Sequence, residues 1–419
     1  MEQVLLYLAL AAGFYMAWNI GANDVANAFG TAVGSGALTF RQALLIAAIF
    51  EFSGAFFLGS HITATISGNI VVPEIFIASP RLFAMGMLAA LLGAAAWLHI
   101  ATFFSKPVST THAIIGSVVG FGITAAGPGC VQWMKLLRIA ASWIISPLAG
   151  LILGFIVYLC IQKFVLRSRD PAARAQAAVP LAFSAVILII AFSITYNLMP
   201  RLFPVHSTTL LYGVGLPLAA SVFLALLGAT AAYLYLRGHA RAPGADHAAA
   251  QATVESWFAR MQIMTASYMS FAHGANDVAN AIAPIAGIVH ALRSGFTIHA
   301  PVPSWLLAFG GAGIVIGLVM YGRKVIETVG RRITEVTPTR GFSAEISTAS
   351  TVLACSLMGL PISTTFVLVG AIMGVGFARG FGAIDLSVVK NIFVSWIITI
   401  PAAAGLAMVF YWILSMIWR

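Results

Sequence analysis

The chain has 419 residues, of which 60% are hydrophobic and only 8% charged, where a soluble domain carries about 25% charged residues. Lipid must therefore be the solvent for most of the surface, and a soluble enzyme or binding module is excluded. The net charge of +10 does not point to nucleic acid, because the basic residues gather in short loops between apolar spans, as positive-inside topology signals do.

In chain order, apolar windows of spanning length fall at 4–28, 42–60, 82–103, 109–126, 137–161, 180–200, 209–236, 258–288, 304–321, 342–358, 361–378 and 389–417. They predict an all-α polytopic membrane protein with about twelve transmembrane or re-entrant segments. The first window follows Glu2 with no Lys or Arg before it, unlike the basic start of a cleaved signal peptide, so it is expected to stay in the mature protein. It contains the octapeptide Gly-Ala-Asn-Asp-Val-Ala-Asn-Ala at 21–28. Asp24 thus enters a segment otherwise fit for hydrocarbon, a costly placement that marks function, since close helix packing needs the small residues but not the acid. The second window holds Glu51 in equally apolar surroundings. The windows at 109–126 and 342–378 are short, rich in Ser, Thr and Gly, and interrupted by Pro107 or Pro361, the pattern of re-entrant hairpins. Cys130, Cys160 and Cys355 stand singly with no metal or disulfide spacing.

The octapeptide returns at 274–281, carrying Asp277, an offset of 253 residues. Ser142-Trp-Ile-Ile returns at Ser395 with the same offset, and Pro107-Val-Ser-Thr-Thr-His112 matches Pro361-Ile-Ser-Thr-Thr-Phe366 at 254. Three blocks in one order at nearly one offset mean two half-proteins. The expected division is a first repeat over 1–161, a linker region with two additional spans over 162–257, and a second repeat over 258–419. The loops at 162–179 (Lys163, Arg167, Arg169, Arg174), 237–257 (Arg237, Arg241) and 322–341 (Arg323, Lys324, Arg331, Arg332, Arg340) are separated by two spans each. They share one side, which charge bias assigns to the cytoplasm, and both termini then lie outside. The octapeptides enter from opposite sides, so the repeats are inverted in topology, an architecture that places a transport site between the halves.

On a helix, Asn23 or Asp24 and Asn27 share a face, as do Asn276, Asp277 and Asn280. Their oxygens suit a hard cation such as sodium, or a proton, better than zinc or copper. Ser109, Thr110 and Thr111, with Ser363, Thr364 and Thr365, follow the prolines. They offer hydroxyls and, where a half-helix starts, free backbone N–H groups at the positive end of a helix dipole, an anion cradle. Neither motif contains Arg, and Lys106 before Pro107 is answered by Leu360, so co-bound cations would neutralise the anion and couple the two fluxes. Glu51 and Glu345, which are not repeat mates, are candidate coupling or gating groups. His112 and His273 adjoin the motifs, but their repeat mates are Phe366 and Ile20, which places them second among such candidates.

At these residues the chain resembles the PiT family of inorganic phosphate transporters, whose hallmark is a duplicated Gly-Ala-Asn-Asp motif with a Pro-X-Ser-X-Thr element in each half. The resemblance extends through 29–36, the stretch around Glu51, 131–133, 141–147 and 341–345. It implies a phosphate symporter, a central site lined by both motif pairs, and a homodimer. It also ties Glu51 and Glu345 to transport, as in the sodium-coupled branch. Phe366 departs from the family pattern, where many members carry His, and the short linker favours a bacterial or archaeal inner membrane. The expected function is sodium-coupled symport of inorganic phosphate, with no enzymatic activity and no cofactor beyond sodium as co-substrate. Sodium is expected at Asn23, Asp24, Asn27, Asn276, Asp277 and Asn280, and phosphate at the six Ser and Thr residues. A proton-coupled carrier of metal-phosphate and a sulfate permease are the alternatives. A channel fits the duplicated inverted sites less well, and an intramembrane hydrolase would lack an oxyanion motif beside Ser109 and His112.

Overall fold

The computed structural model describes residues 2–68, 70–104, 108–203, 210–238, 247–293, 302–332, 337–380 and 386–418; Lys106, Pro107 and Arg241 lie outside them. Among these residues every regular element is helical, α apart from short 3₁₀ turns at Pro73–Phe76 and Pro128–Cys130 and π-turns at Gln162–Leu166 and Leu211–Gly215, with one isolated antiparallel bridge between Val71 and Val131. The first half holds α1 (Glu2–Gly34), α2 (Phe40–Leu58), α3 (Ser60–Gly68), α4 (Pro80–Phe103), α5 (Thr110–Ala126) and α6 (Trp133–Ile161). Then come α7 (Pro171–Leu202) and α8 (Leu216–Gly238), followed by α9 (His247–Arg293), α10 (Ser304–Arg332), α11 (Pro338–Leu357), α12 (Thr364–Arg379) and α13 (Leu386–Ile417).

Each of the twelve apolar windows corresponds to one helix, and α3 is the addition. The helices outrun the windows, however. A π-turn at Gln162–Leu166 prolongs α6, α7 starts at Pro171, α9 at His247, and α10 runs to Arg332. The loops expected at 162–179, 237–257 and 322–341 are therefore shorter than the sequence suggested, and the division at 257/258 falls inside α9. The reason is physical: a hydropathy window reports the depth of lipid, whereas backbone hydrogen bonding continues past it into water. Among the described residues eight helices are long and apolar enough to cross a bilayer, namely α1, α2, α4, α6, α7, α8, α10 and α13. The 47-residue α9 is not among them, because the polar residues of its octapeptide and their neighbours lower its hydropathy.

Two helix pairs fold back on themselves. The backbone N–H of Val72 donates to Cys130 O (2.8 Å) and that of Gln132 to Ile70 O (2.9 Å), so the start of α4 and the end of α5 lie side by side. The opposite end of this hairpin reaches α1 midway along its length, where Thr102 donates to Asn23 Oδ1 (3.2 Å) and Asn23 donates to Val108 O (3.3 Å). The tip between α11 and α12 is held in turn by α3, where Thr65 donates to Gly359 O at 2.8 Å.

The octapeptide helices α1 and α9 run antiparallel through the centre. Gly13 faces Ala281 and Ile285, Asp24 lies beside His273, and Ser35 donates to Gln262 Oε1 at 2.6 Å. Around them the packing is reciprocal: α1 lies on α10 and α9 on α2, while α5 lies on α13 and α12 on α6. Small residues carry these contacts. Gly116 and Gly120 of α5 abut the backbone at Ile400 and Ala404, and Gly370 and Gly374 of α12 abut it at Pro147 and Leu151. Each of these pairs maps onto the other by an offset of 253 or 254 residues. Such backbone-to-backbone approach is how helices associate where lipid removes the hydrophobic drive between them.

Candidate functional site

At the centre, four polypeptide segments converge. The octapeptides supply the middles of α1 and α9, and the Ser-Thr-Thr elements supply the first turns of α5 and α12. Both of the latter helices begin at the second residue of their element, with Ser109 and Ser363 as N-caps in extended conformation. The Ser109 hydroxyl accepts from the His112 N–H at 3.2 Å, whereas Ser363 Oγ is buried without a partner. The two helix starts therefore meet at the middle of the protein, each with free N–H groups and a partial positive charge.

Every predicted Asn and Asp of the octapeptides is buried, Asp24 at 1% exposure and Asp277 at 0%. Asp24 Oδ1 accepts from Asn23 and Asn27, both at 3.1 Å, and from Thr365 at 3.5 Å. Asp277 Oδ1 accepts from Asn280 at 2.9 Å, Thr111 at 3.4 Å and Thr110 at 3.5 Å, and Oδ2 accepts from Thr364 at 3.1 Å. The amide of Asn276, oriented so that its nitrogen donates, reaches Asp277 Oδ1 (3.3 Å) and Ile362 O (3.1 Å), matching the bonds of Asn23 to Asp24 and Val108 O. The second asparagines cross over: Asn27 donates to Thr365 Oγ1 at 2.8 Å, and Asn280 to Thr111 Oγ1 at 3.1 Å. Each octapeptide thus binds the hydroxyls of the opposite half.

His273 joins the acids. Its Nε2 lies 2.7 Å from Asp277 Oδ2 and 3.9 Å from Asp24 Oδ2, while Nδ1 lies 2.7 and 2.9 Å from the two oxygens of Glu51. Three carboxylates on α1, α2 and α9 are therefore connected through one imidazole. Asp24 Oδ2 and Asn280 Oδ1 remain buried without a hydrogen-bond partner, two oxygen acceptors available to a cation.

The remaining candidates lie elsewhere. Glu345, on α11, is 0% exposed; it accepts from Thr31 at 2.5 Å, Gln262 at 3.0 Å and Thr265 at 2.5 Å. The sequence alone does not reveal those three donors, although Gln262 inside the apolar window 258–288 is a usable signal. The network ties α1, α9 and α11 together, and Glu345→Leu would leave three buried donors unsatisfied. That substitution is expected to cost on the order of 3 kcal/mol, read as a lower thermal midpoint of the purified protein than wild type. His112 sits between rings, 4.0 Å from the centroid of Trp143 and 5.1 Å from that of Phe366. Its own repeat mate thus covers one face of it. Trp143 Nε1 in turn donates to Pro361 O at 3.1 Å, tying α6 to the start of the second Ser-Thr-Thr element.

A polytopic all-α fold whose buried polar centre is assembled from two matching segments of each half defines a membrane transport protein, not an enzyme. Residues 20–407 match the model of the phosphate transporter family, and the chain belongs to that family. It is 44% identical to the inorganic phosphate transporter 2-1, chloroplastic, of Arabidopsis thaliana, over 99% of this chain and 73% of that one. A protein of Pyrococcus horikoshii provisionally named a phosphate permease is 43% identical over 98% of both chains. Among solved structures, the sodium-dependent phosphate transporter aligns with a TM-score of 0.86 at 40% identity, covering 99% of this chain and 100% of that one.

Proposed function

We propose that this protein is a sodium-coupled symporter of inorganic phosphate. The observation that carries the reading is the pairing of two buried carboxylates, Asp24 and Asp277, with unpartnered acceptors at Asp24 Oδ2 and Asn280 Oδ1, directly beneath two helix starts. Sodium, a hard cation, would take the oxygens of Asn23, Asp24, Asn27, Asn276, Asp277 and Asn280. Phosphate would take the hydroxyls and N–H groups at Ser109, Thr110, Thr111, Ser363, Thr364 and Thr365. In the described geometry three of those hydroxyls, on Thr110, Thr364 and Thr365, donate to the two aspartates, while Thr111 donates over a shorter distance, 2.9 Å, to Ile362 O. A cation on the carboxylates would compete for the same lone pairs and turn the hydroxyls toward an anion. Sodium binding thereby prepares the phosphate site, which is coupling in its simplest form.

The reciprocal packing and antiparallel course of α1 and α9 support inverted repeats that move against each other to alternate access. Glu2 and Arg81 pair at 3.5 Å at one end of the molecule, while Thr339 donates to Glu255 (2.8 and 3.0 Å) near the start of both α9 and α11. These contacts support hairpins entering from opposite faces of a cell membrane; the Lys and Arg bias of the loops supports both termini outside, in an assembly we take to be a homodimer. The sodium dependence of the solved relative supports the choice of ion.

Uptake of labelled phosphate into proteoliposomes, with sodium replaced by choline at fixed pH, tests the coupling. The expected result is loss of concentrative uptake in choline; full uptake there overturns sodium drive. Excess sulfate is expected to leave uptake in sodium unchanged, and strong competition would shift the substrate to the wider class of tetrahedral oxyanions.

A further inference from the structure

We propose that Asp24, His273 and Asp277 form a binding site for one divalent transition-metal ion of the zinc, cobalt or manganese type, and that this ion competes with sodium. Competition rests on the sodium reading above; the metal site itself does not.

The donor set differs from that of an alkali-metal site in one atom. Sodium takes oxygen, whereas an imidazole nitrogen beside two carboxylate oxygens is the ligand set of first-row divalent ions. One oxygen from each aspartate and Nε2 of His273 lie within 4.8 Å of one another, and all three residues are buried. The Nε2 distances of 2.7 Å to Asp277 Oδ2 and 3.9 Å to Asp24 Oδ2 bracket the separation of roughly 3.3 Å between ligands bound tetrahedrally at about 2.0–2.1 Å. Each differs from that separation by about 0.6 Å.

Two independent observations point to a ligand. His273 Nε2 and Asp24 Oδ2 are both buried with no aligned hydrogen bond, and they lie 3.9 Å from each other. Behind the imidazole, Glu51 receives Nδ1 at 2.7 and 2.9 Å. That is the carboxylate–histidine relay found behind metal-bound imidazoles, which keeps the proton on Nδ1 and turns the Nε2 lone pair toward the metal. Isoleucine stands at position 20, the repeat mate of His273, and at position 314, which occupies against Gly21 the place Glu51 occupies against Gly274. The nitrogen ligand and its orienting acid thus occur together around the second octapeptide and are absent together around the first.

Manganese(II) titrated into the purified full-length protein in sodium-free choline buffer, followed by electron paramagnetic resonance, tests this. The expected result is one saturable ion per chain with nitrogen coupling from a single imidazole. Non-saturable binding, or a bound ion with no nitrogen coupling, overturns the proposal in the wild-type protein alone. Glu51→Gln is expected to weaken manganese binding roughly 10–100-fold, and His273→Asn to abolish the nitrogen coupling; undiminished coupling in a monodisperse His273→Asn protein also overturns it. Sodium at ten times its own dissociation constant is expected to raise the apparent manganese Kd about tenfold. If manganese binds with nitrogen coupling but sodium does not compete, the claim of competition fails. If sodium-driven uptake alone is missing, the symport reading fails and the metal site stands.

Discussion

Asp24→Asn and Asp277→Asn are each expected to lower sodium-dependent phosphate uptake by roughly two orders of magnitude, and to differ from each other in stability. Removing one charge from a buried, hydrogen-bonded set costs about 2–5 kcal/mol of the interaction that set makes, and about 1.4 kcal/mol is a factor of ten. Both variants lose a carboxylate that would hold the co-transported cation, so both lose transport. Their resting structures are unequally affected. Asp277 is the 2.7 Å partner of His273 and accepts from Thr110, Thr111, Thr364 and Asn280. Asp24 lies 3.9 Å from the same imidazole, with Oδ2 unpartnered. Asp277→Asn is therefore expected to lower the thermal midpoint, while Asp24→Asn stays at or above the wild-type value because it removes an incompletely satisfied buried charge. Uptake assays and thermal unfolding on the same preparations check both parts. Wild-type uptake in either variant would remove that aspartate from the transport site.

The sequence made the duplicated chemistry legible because the acids stand out against hydrocarbon. Asp24 and Asp277 could be paired by their offset, and the helix starts at Thr110 and Thr364 could be anticipated from Pro107 and Pro361 with serine N-caps behind them. It could not show the crossover in which Asn27 meets Thr365 and Asn280 meets Thr111, since a repeat says which residues correspond and not which half each one touches. Sequence alone places His273 second among the candidates, because its mate is Ile20. Only the fold brings Glu51 from α2 to its far nitrogen and Asp24 from α1 to its near one, a convergence of three helices with no local sequence pattern. Glu345 shows the same limit. Its acid was visible, but Thr31, Gln262 and Thr265 come from two other helices. The excess length of α9 was hidden for another reason: its polar centre faces protein, so hydropathy understates a helix that lipid barely touches.

The first glycine of each octapeptide carries the other large prediction. A Cβ placed on Gly21 falls on the carbonyl oxygen of Ile314, and one on Gly274 falls on that of Glu51. In return, Gly317 abuts the carbonyl of Trp18, and Gly54 that of Phe271. All four contacts are to backbone, which cannot rotate away, so even a methyl group must push two helices apart. Overpacking of this kind costs about 1–3 kcal/mol or more. Gly21→Ala and Gly274→Ala are accordingly expected to reduce folded, monodisperse protein sharply, while Gly405→Ala, whose added methyl meets nothing within 4 Å, is tolerated. The two octapeptide variants should also separate in function. Gly21 presses on Ile314, which has no polar role, whereas Gly274 presses on Glu51, whose carboxylate holds His273. Whatever folded protein survives Gly274→Ala is therefore expected to take up less phosphate per molecule than that surviving Gly21→Ala, measured as uptake normalised to the monodisperse fraction. Equal specific uptake would mean that the position of Glu51 does not govern the site.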